Sequence, residues 1–104
     1  MDTTPPGPEH PGKILRTAFK AFGISVEEAA RRSGVDGNTL RKIVYGERRI
    51  SAMVSLRMER LTGISALYLL RKQSELDLHI LRPQMEKDLS LTRRADIPHM
   101  KDPI

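Results

Sequence analysis

Apolar and polar residues along this chain recur at helical spacing, and the pattern is broken at intervals by glycine, serine and aspartate. Leu15, Ala18, Phe19 and Phe22 define one apolar face. They predict a first helix opening near His10-Pro11-Gly12, where proline is tolerated in the first turn. Gly23 suits the left-handed stop that follows a helix. Ser25-Val26-Glu27-Glu28 reads as a capping box, the Ser25 hydroxyl accepting from the Glu28 amide and the Glu28 side chain reaching back. Ile24 and Ala29 stand where a hydrophobic staple is expected, and Gly34 closes this short second helix. Asp36 is the N-cap of a third helix whose buried face is Leu40, Ile43 and Val44, with Gly46 at its end. Glu47-Arg48-Arg49 forms a charged connection. Ser51 caps a fourth helix carrying Val54, Leu56, Met58 and Leu61, which Gly63 ends, and Ser65 caps the fifth.

The fifth helix departs from the simple pattern. Leu67, Tyr68, Leu69, Leu70, Leu76, Leu78, Ile80 and Leu81 exceed one helical stripe, so it has more than one surface to bury. In so small a domain the second surface is read as a partner subunit, with Leu69, Leu76 and Ile80 as the dimer interface. The competing reading is a helix that lies across the core and is buried on several sides. Pro83 is expected to end this helix. Residues 83–104 then read as a C-terminal tail, with a short helical turn around Met85 to Leu91 and order acquired on a partner. The division is therefore a flexible arm over 1–9, a five-helix domain over 10–82, and the tail. No strand alternation and no internal repeat interrupts this all-α reading.

Composition narrows the picture. The 104 residues suffice for one small domain, and with only two Phe and two Tyr the core must be aliphatic. No apolar run approaches the roughly 20 residues that span a bilayer. Residues 1–11 hold four prolines and two acids, unlike a secretory signal. The absence of cysteine removes disulfides and thiol chemistry and fits a cytoplasmic protein. The net charge is +5, and it is concentrated: from His10 to Arg82 there are 14 Lys/Arg against 7 Asp/Glu. A compact basic segment is an electrostatic footprint for phosphate, or equally a soluble surface rich in arginine.

The informative stretch runs from Val26 to Ile43. Ala30 is small enough for a second helix to cross closely. Gly34 supplies a positive-φ turn, and Leu40 and Ile43 anchor the second helix on the first. Two short helices at a steep angle result, the second presenting its N-terminal half outward. That half reads Asp36, Gly37, Asn38, Thr39, Arg41, Lys42. Asn pairs with adenine, Thr with a base edge or methyl, and Lys or Arg with guanine or phosphate, so this face suits a major groove.

The segment from His10 to Arg82, about 70% of the chain, resembles the HigA antitoxins within the Xre/Cro-like, lambda-repressor-like helix-turn-helix group. The matching pieces are His10-Pro11-Gly12-Lys13-Ile14-Leu15, Gly23-Ile24-Ser25, Arg48-Arg49-Ile50-Ser51-Ala52, Leu56-Arg57-Met58, Gly63-Ile64-Ser65, and Gln73 with Asp77-Leu78. The resemblance implies a five-helix domain and a homodimer on a palindromic operator upstream of its own gene pair. It also implies a HigB-like, RelE-type ribonuclease toxin as partner. By resemblance, Asn38, Thr39 and Lys42 face bases, while Ser25, Arg41 and Arg48 meet backbone phosphates. The chain departs from the family at Val26, where Gln is usual, at Asp36, where Ser or Thr is usual, and at Glu47, where Lys is usual. Each departure lowers local attraction for phosphate.

Enzymatic chemistry finds no foothold. His10, His79 and His99 are too scattered for a metal motif, the serines are explained by capping, and Glu27-Glu28 by the first turn of a helix. No glycine-rich phosphate loop is present, and no cofactor is expected. Three readings remain: a dimeric repressor and antitoxin, a toxin-neutralising interaction module with weakened DNA binding, and a solitary regulator without a toxin.

Overall fold

The computed structural model describes residues 7–87, and these form five helices and no strand. They are α1 (Pro11–Phe22), α2 (Val26–Ser33), α3 (Gly37–Val44), α4 (Ala52–Thr62) and α5 (Ala66–Lys87). Among the described residues no helix is long and apolar enough to cross a membrane.

Local chemistry sets the boundaries. The His10 imidazole Nδ1 accepts from the Gly12 amide at 2.9 Å and so serves as the N-cap of α1, with Pro11 in the first turn. Ser25, Asp36 and Ser51 cap α2, α3 and α4 by accepting from Glu28, Thr39 and Val54 amides at 3.0, 3.0 and 3.1 Å. Ser65 Oγ accepts from the Tyr68 amide at 3.3 Å at the start of α5. Only half of the expected capping box forms. The Glu28 carboxylate turns to Arg31 on the next turn rather than back to Ser25, because an arginine three residues on offers it a full charge.

The core is aliphatic apart from Phe19. Leu15 and Phe19 of α1, Ala29 and Ala30 of α2, Leu40, Ile43 and Val44 of α3, Val54 and Met58 of α4, and Leu69 of α5 meet there. Ile24 and Val26 pack against its edge, so the valine at the second-helix start is a packing residue. Gly34, at φ 77°, makes the left-handed turn between α2 and α3, and its amide donates to the Ala30 carbonyl. Gly12 allows the closest backbone approach: a Cβ there would lie 1.8 Å from the Ile43 carbonyl oxygen. Contact between α1 and α3 therefore depends on a missing side chain as well as on the apolar faces.

One buried polar residue ties the α3–α4 connection to α5. Gln73 is almost fully buried. Its Oε1 accepts from the Ile50 amide at 2.9 Å and its Nε2 donates to Asp77 at 3.0 Å. Asp77 in turn grips the Arg49 guanidinium.

Two expectations are corrected. Helix α5 runs through Pro83 to Lys87 instead of ending there. Proline removes the bond to the carbonyl four residues earlier, but residues 78–87 are all exposed, so water can satisfy the freed carbonyl. The helical turn expected at Met85 to Leu91 is in part the end of α5, and residues 88–91 lie outside the described residues. Leu56, counted with the apolar residues of α4, is exposed, because it lies two positions from both Val54 and Met58 and so on the other side of the helix.

Candidate nucleic-acid interface

The outward face of α3 is built by its own N-cap. Asp36 Oδ2 accepts from the Thr39 amide at 3.0 Å and from the Thr39 hydroxyl at 3.3 Å. Thr39 Oγ1 also accepts from Arg48 Nη1 at 3.4 Å, which draws the loop arginine over the start of α3. A second chain of contacts runs from α2. Arg41 Nη2 lies 2.7 Å from Glu27 Oε1, while Arg41 Nη1 donates to Asn38 Oδ1 at 3.2 Å. The Glu27 carboxyl is lowered below its ordinary pKa first by the hydrogen bond from Arg41, and the Arg41 guanidinium is raised by the same bond. Asn38, Arg41 and Lys42 are exposed and Thr39 is half-buried. Among the described residues Lys42 makes no ion pair and no side-chain hydrogen bond, so its ammonium stands free on the helix.

Ser25 and Arg41 border a cleft of about 370 Å³ whose rim also includes Arg16, Lys20, Glu27 and Tyr45. The Arg16 guanidinium sits 5.4 Å from the centre of the Tyr45 ring. Sequence reasoning missed Arg16, Lys20 and Tyr45. Arg16 and Lys20 are one turn apart on the exposed side of α1, opposite Leu15 and Phe19, and that spacing was the available signal.

Four of the six residues expected to face DNA are thus joined on one surface, Asn38 with Arg41 and Thr39 with Arg48. Ser25 joins Arg41 through the cleft, and Lys42 lies on the same helix alone. The arrangement offers exposed cations at both ends of a short polar helix, which suits phosphates flanking a groove. It also holds two carboxylates: Glu27 is paired with Arg41, and Asp36 accepts from Thr39. Glu47 is exposed nearby. Among the described residues no group of side chains could hold a metal ion.

The proposed seam residues separate. Leu69 is fully buried in the core cluster and has no surface to give a partner, a correction that follows from its packing within the chain's own core. Leu76 is half-buried and Ile80 is 52% exposed. The apolar excess of α5 is instead displayed, with Leu67, Leu78, Leu81 and Met85 exposed, and Met53 and Leu56 add to it on α4.

Residues 15–69 match the profile of the Helix-turn-helix family. Among solved structures the chain is similar to PA4674 of Pseudomonas aeruginosa, which was solved in complex with a 28-bp operator DNA. The two are 33% identical with a TM-score of 0.73, over 83% of this chain and 96% of that one. It is likewise similar to the Pseudomonas aeruginosa antitoxin HigA, solved with the higBA promoter, at 32% identity and a TM-score of 0.76, covering 86% and 99%. Similarity to the antitoxin GraA is 27% with a TM-score of 0.77, covering 88% and 99%. No curated protein matches the chain.

Proposed function

The chain belongs to the Xre-like helix-turn-helix family as a HigA-type member, and on that footing we propose that it is a DNA-binding antitoxin that represses its own operon. The observation that carries this reading is the α3 surface, where Asn38, Thr39, Arg41 and Lys42 project beside Arg48 and Ser25. Two similar proteins, each more than 30% identical, were solved with operator or promoter DNA. Asn38, Thr39 and Lys42 would read base edges, and Ser25, Arg41 and Arg48 would hold phosphates.

The protein acts in the cytoplasm as a homodimer. Two copies of α3 would enter successive major grooves about 34 Å apart on a palindromic operator. The exposed apolar residues of α5, Ile80 among them, together with half-buried Leu76, support a seam between copies. Its second partner is a HigB-like, RelE-type ribonuclease toxin, held inactive by binding.

A second reading is favoured by the carboxylates. Glu27 occupies Arg41 and Asp36 occupies Thr39, so neutralisation of a toxin could dominate over weak DNA binding. Titration of the chain against duplex from upstream of its own gene, with scrambled duplex as control, tests the DNA half. Co-expression with the neighbouring small gene tests the toxin half. Rescue by a variant with Asn38, Thr39 and Lys42 all changed to Ala would separate neutralisation from DNA binding.

A further inference from the structure

We propose that the groove between α2 and α4, on neither the α3 face nor the exposed face of α5, is a docking site for an acidic peptide segment carrying one large apolar side chain. Two cavities make the groove. One, of about 400 Å³, is lined by Arg32, Ser33, Arg57, Arg60 and Leu61. The other, of about 210 Å³, is lined by Phe22, Ile24, Arg32 and Leu61. They share Arg32 and Leu61, so the groove is cationic at one end and apolar at the other.

The cationic end is held in place. Arg57 Nη1 donates to the Ser33 carbonyl oxygen at 3.0 Å at the end of α2. A Cβ on Gly34 would lie 2.8 Å from the same Nη1, so the glycine of the turn leaves room for the guanidinium. That contact uses one of five N–H donors, and the rest remain for a ligand. Arg32 and Arg60 enter no ion pair among the described residues.

The carboxylates that could neutralise the groove are committed elsewhere. On α2, Glu27 pairs with Arg41 and Glu28 with Arg31. On α4, Glu59 accepts from the Ala66 amide at 2.8 Å and so caps α5. Three guanidiniums therefore converge without a counter-charge. Arginine matches a carboxylate with paired donors in one plane, which favours acidic side chains as the complement. The apolar end decides between a peptide and a simple anion. Phe22 is 56% exposed above it, and a free phosphate would leave that surface uncovered. A DNA backbone would likewise leave the Phe22 end uncovered, which favours a peptide.

The test uses the full chain, isotopically labelled, and a short fluorescein-labelled peptide of glutamates and aspartates around one central phenylalanine. The expected result is saturable binding that shifts the Phe22 ring and Leu61 methyl signals. Affinity should fall about tenfold or more for Arg60→Ala, whose side chain makes no hydrogen bond or ion pair among the described residues, and likewise for Arg57→Ala. A peptide with Asn and Gln in place of the acids should bind at least about tenfold more weakly. Lys42→Ala should bind as the native chain does. The proposal is overturned if no binding occurs, if the shifts centre on Arg41 and Lys42, or if the neutral peptide binds equally. It is also overturned if inorganic phosphate alone binds as tightly as the peptide.

Discussion

The Arg41 guanidinium on α3 lies 2.7 Å from the Glu27 carboxylate on α2, and the same guanidinium reaches Asn38. Before any DNA arrives, one acidic residue holds together the phosphate-binding and base-facing parts of the surface. The contact braces the angle between the two helices of the motif, and it also competes with phosphate for Arg41.

Glu27→Gln is therefore expected to tighten binding to operator DNA by about two- to fivefold, the scale of an exposed ion pair. Arg41→Ala should then cost more in the Glu27→Gln background than in the native one. Titrations of the four proteins at one fixed salt concentration give the coupling. Weaker binding by Glu27→Gln would mean that bracing outweighs competition.

Gln73→Leu is expected to destabilise the fold by about 1–3 kcal/mol, because it leaves the buried Ile50 amide without a partner. It also releases Asp77, which positions Arg49. Urea denaturation measures the loss. A change below about half a kcal/mol would show that the α3–α4 connection is held by Ile50 packing alone.

The sequence disclosed neither of these two long-range contacts, but it did disclose much of the frame around them. The caps at Ser25, Asp36, Ser51 and Ser65 and the left-handed glycines are short-range chemistry, and their positions were legible. Leu40, Ile43 and Val44 were legible for the same reason, since helical periodicity places them inward. The pairing of Glu27 with Arg41 spans 14 positions, and no periodicity signals it. The burial of Leu69 depends on how α4 and α5 cross, whereas the exposure of Leu56 follows from helical spacing, which sets it opposite Val54 and Met58. Pro83 misled because its local rule assumes that a freed carbonyl has no solvent, whereas this end of α5 is exposed.

Ser55→Ala is expected to stabilise the protein by about 1 kcal/mol. The Ser55 hydroxyl is fully buried in α4 and has no hydrogen-bond partner among the described residues. Alanine removes that unsatisfied group and has the higher helix propensity. Thermal unfolding should show a raised midpoint. A lowered midpoint would point to an unseen partner for the hydroxyl.

His10 links stability to pH. Burial pushes its imidazole below the ordinary 6.5, against opposing pulls from the Arg48 backbone and the Asp77 charge. Its neutral Nδ1 is the acceptor that caps α1. Because the folded value lies below the unfolded one, the contribution is complete above about pH 6.5 and is lost as pH falls through the folded value. His10→Asn keeps a cap without an imidazole, and should flatten the dependence of the unfolding midpoint between about pH 7 and 5. An unchanged slope in that variant would assign the dependence elsewhere.

Reading of bases by α3 is tested most directly by a substitution scan. Each base pair of the operator half-site is changed in turn, and affinity is measured for the native chain and for Lys42→Ala. The native chain should lose about tenfold or more at several positions. Lys42→Ala should lose discrimination at one position of each half-site and keep it at the others. Identical affinity for every duplex, or a Lys42→Ala profile indistinguishable from the native one, would contradict base reading by this helix.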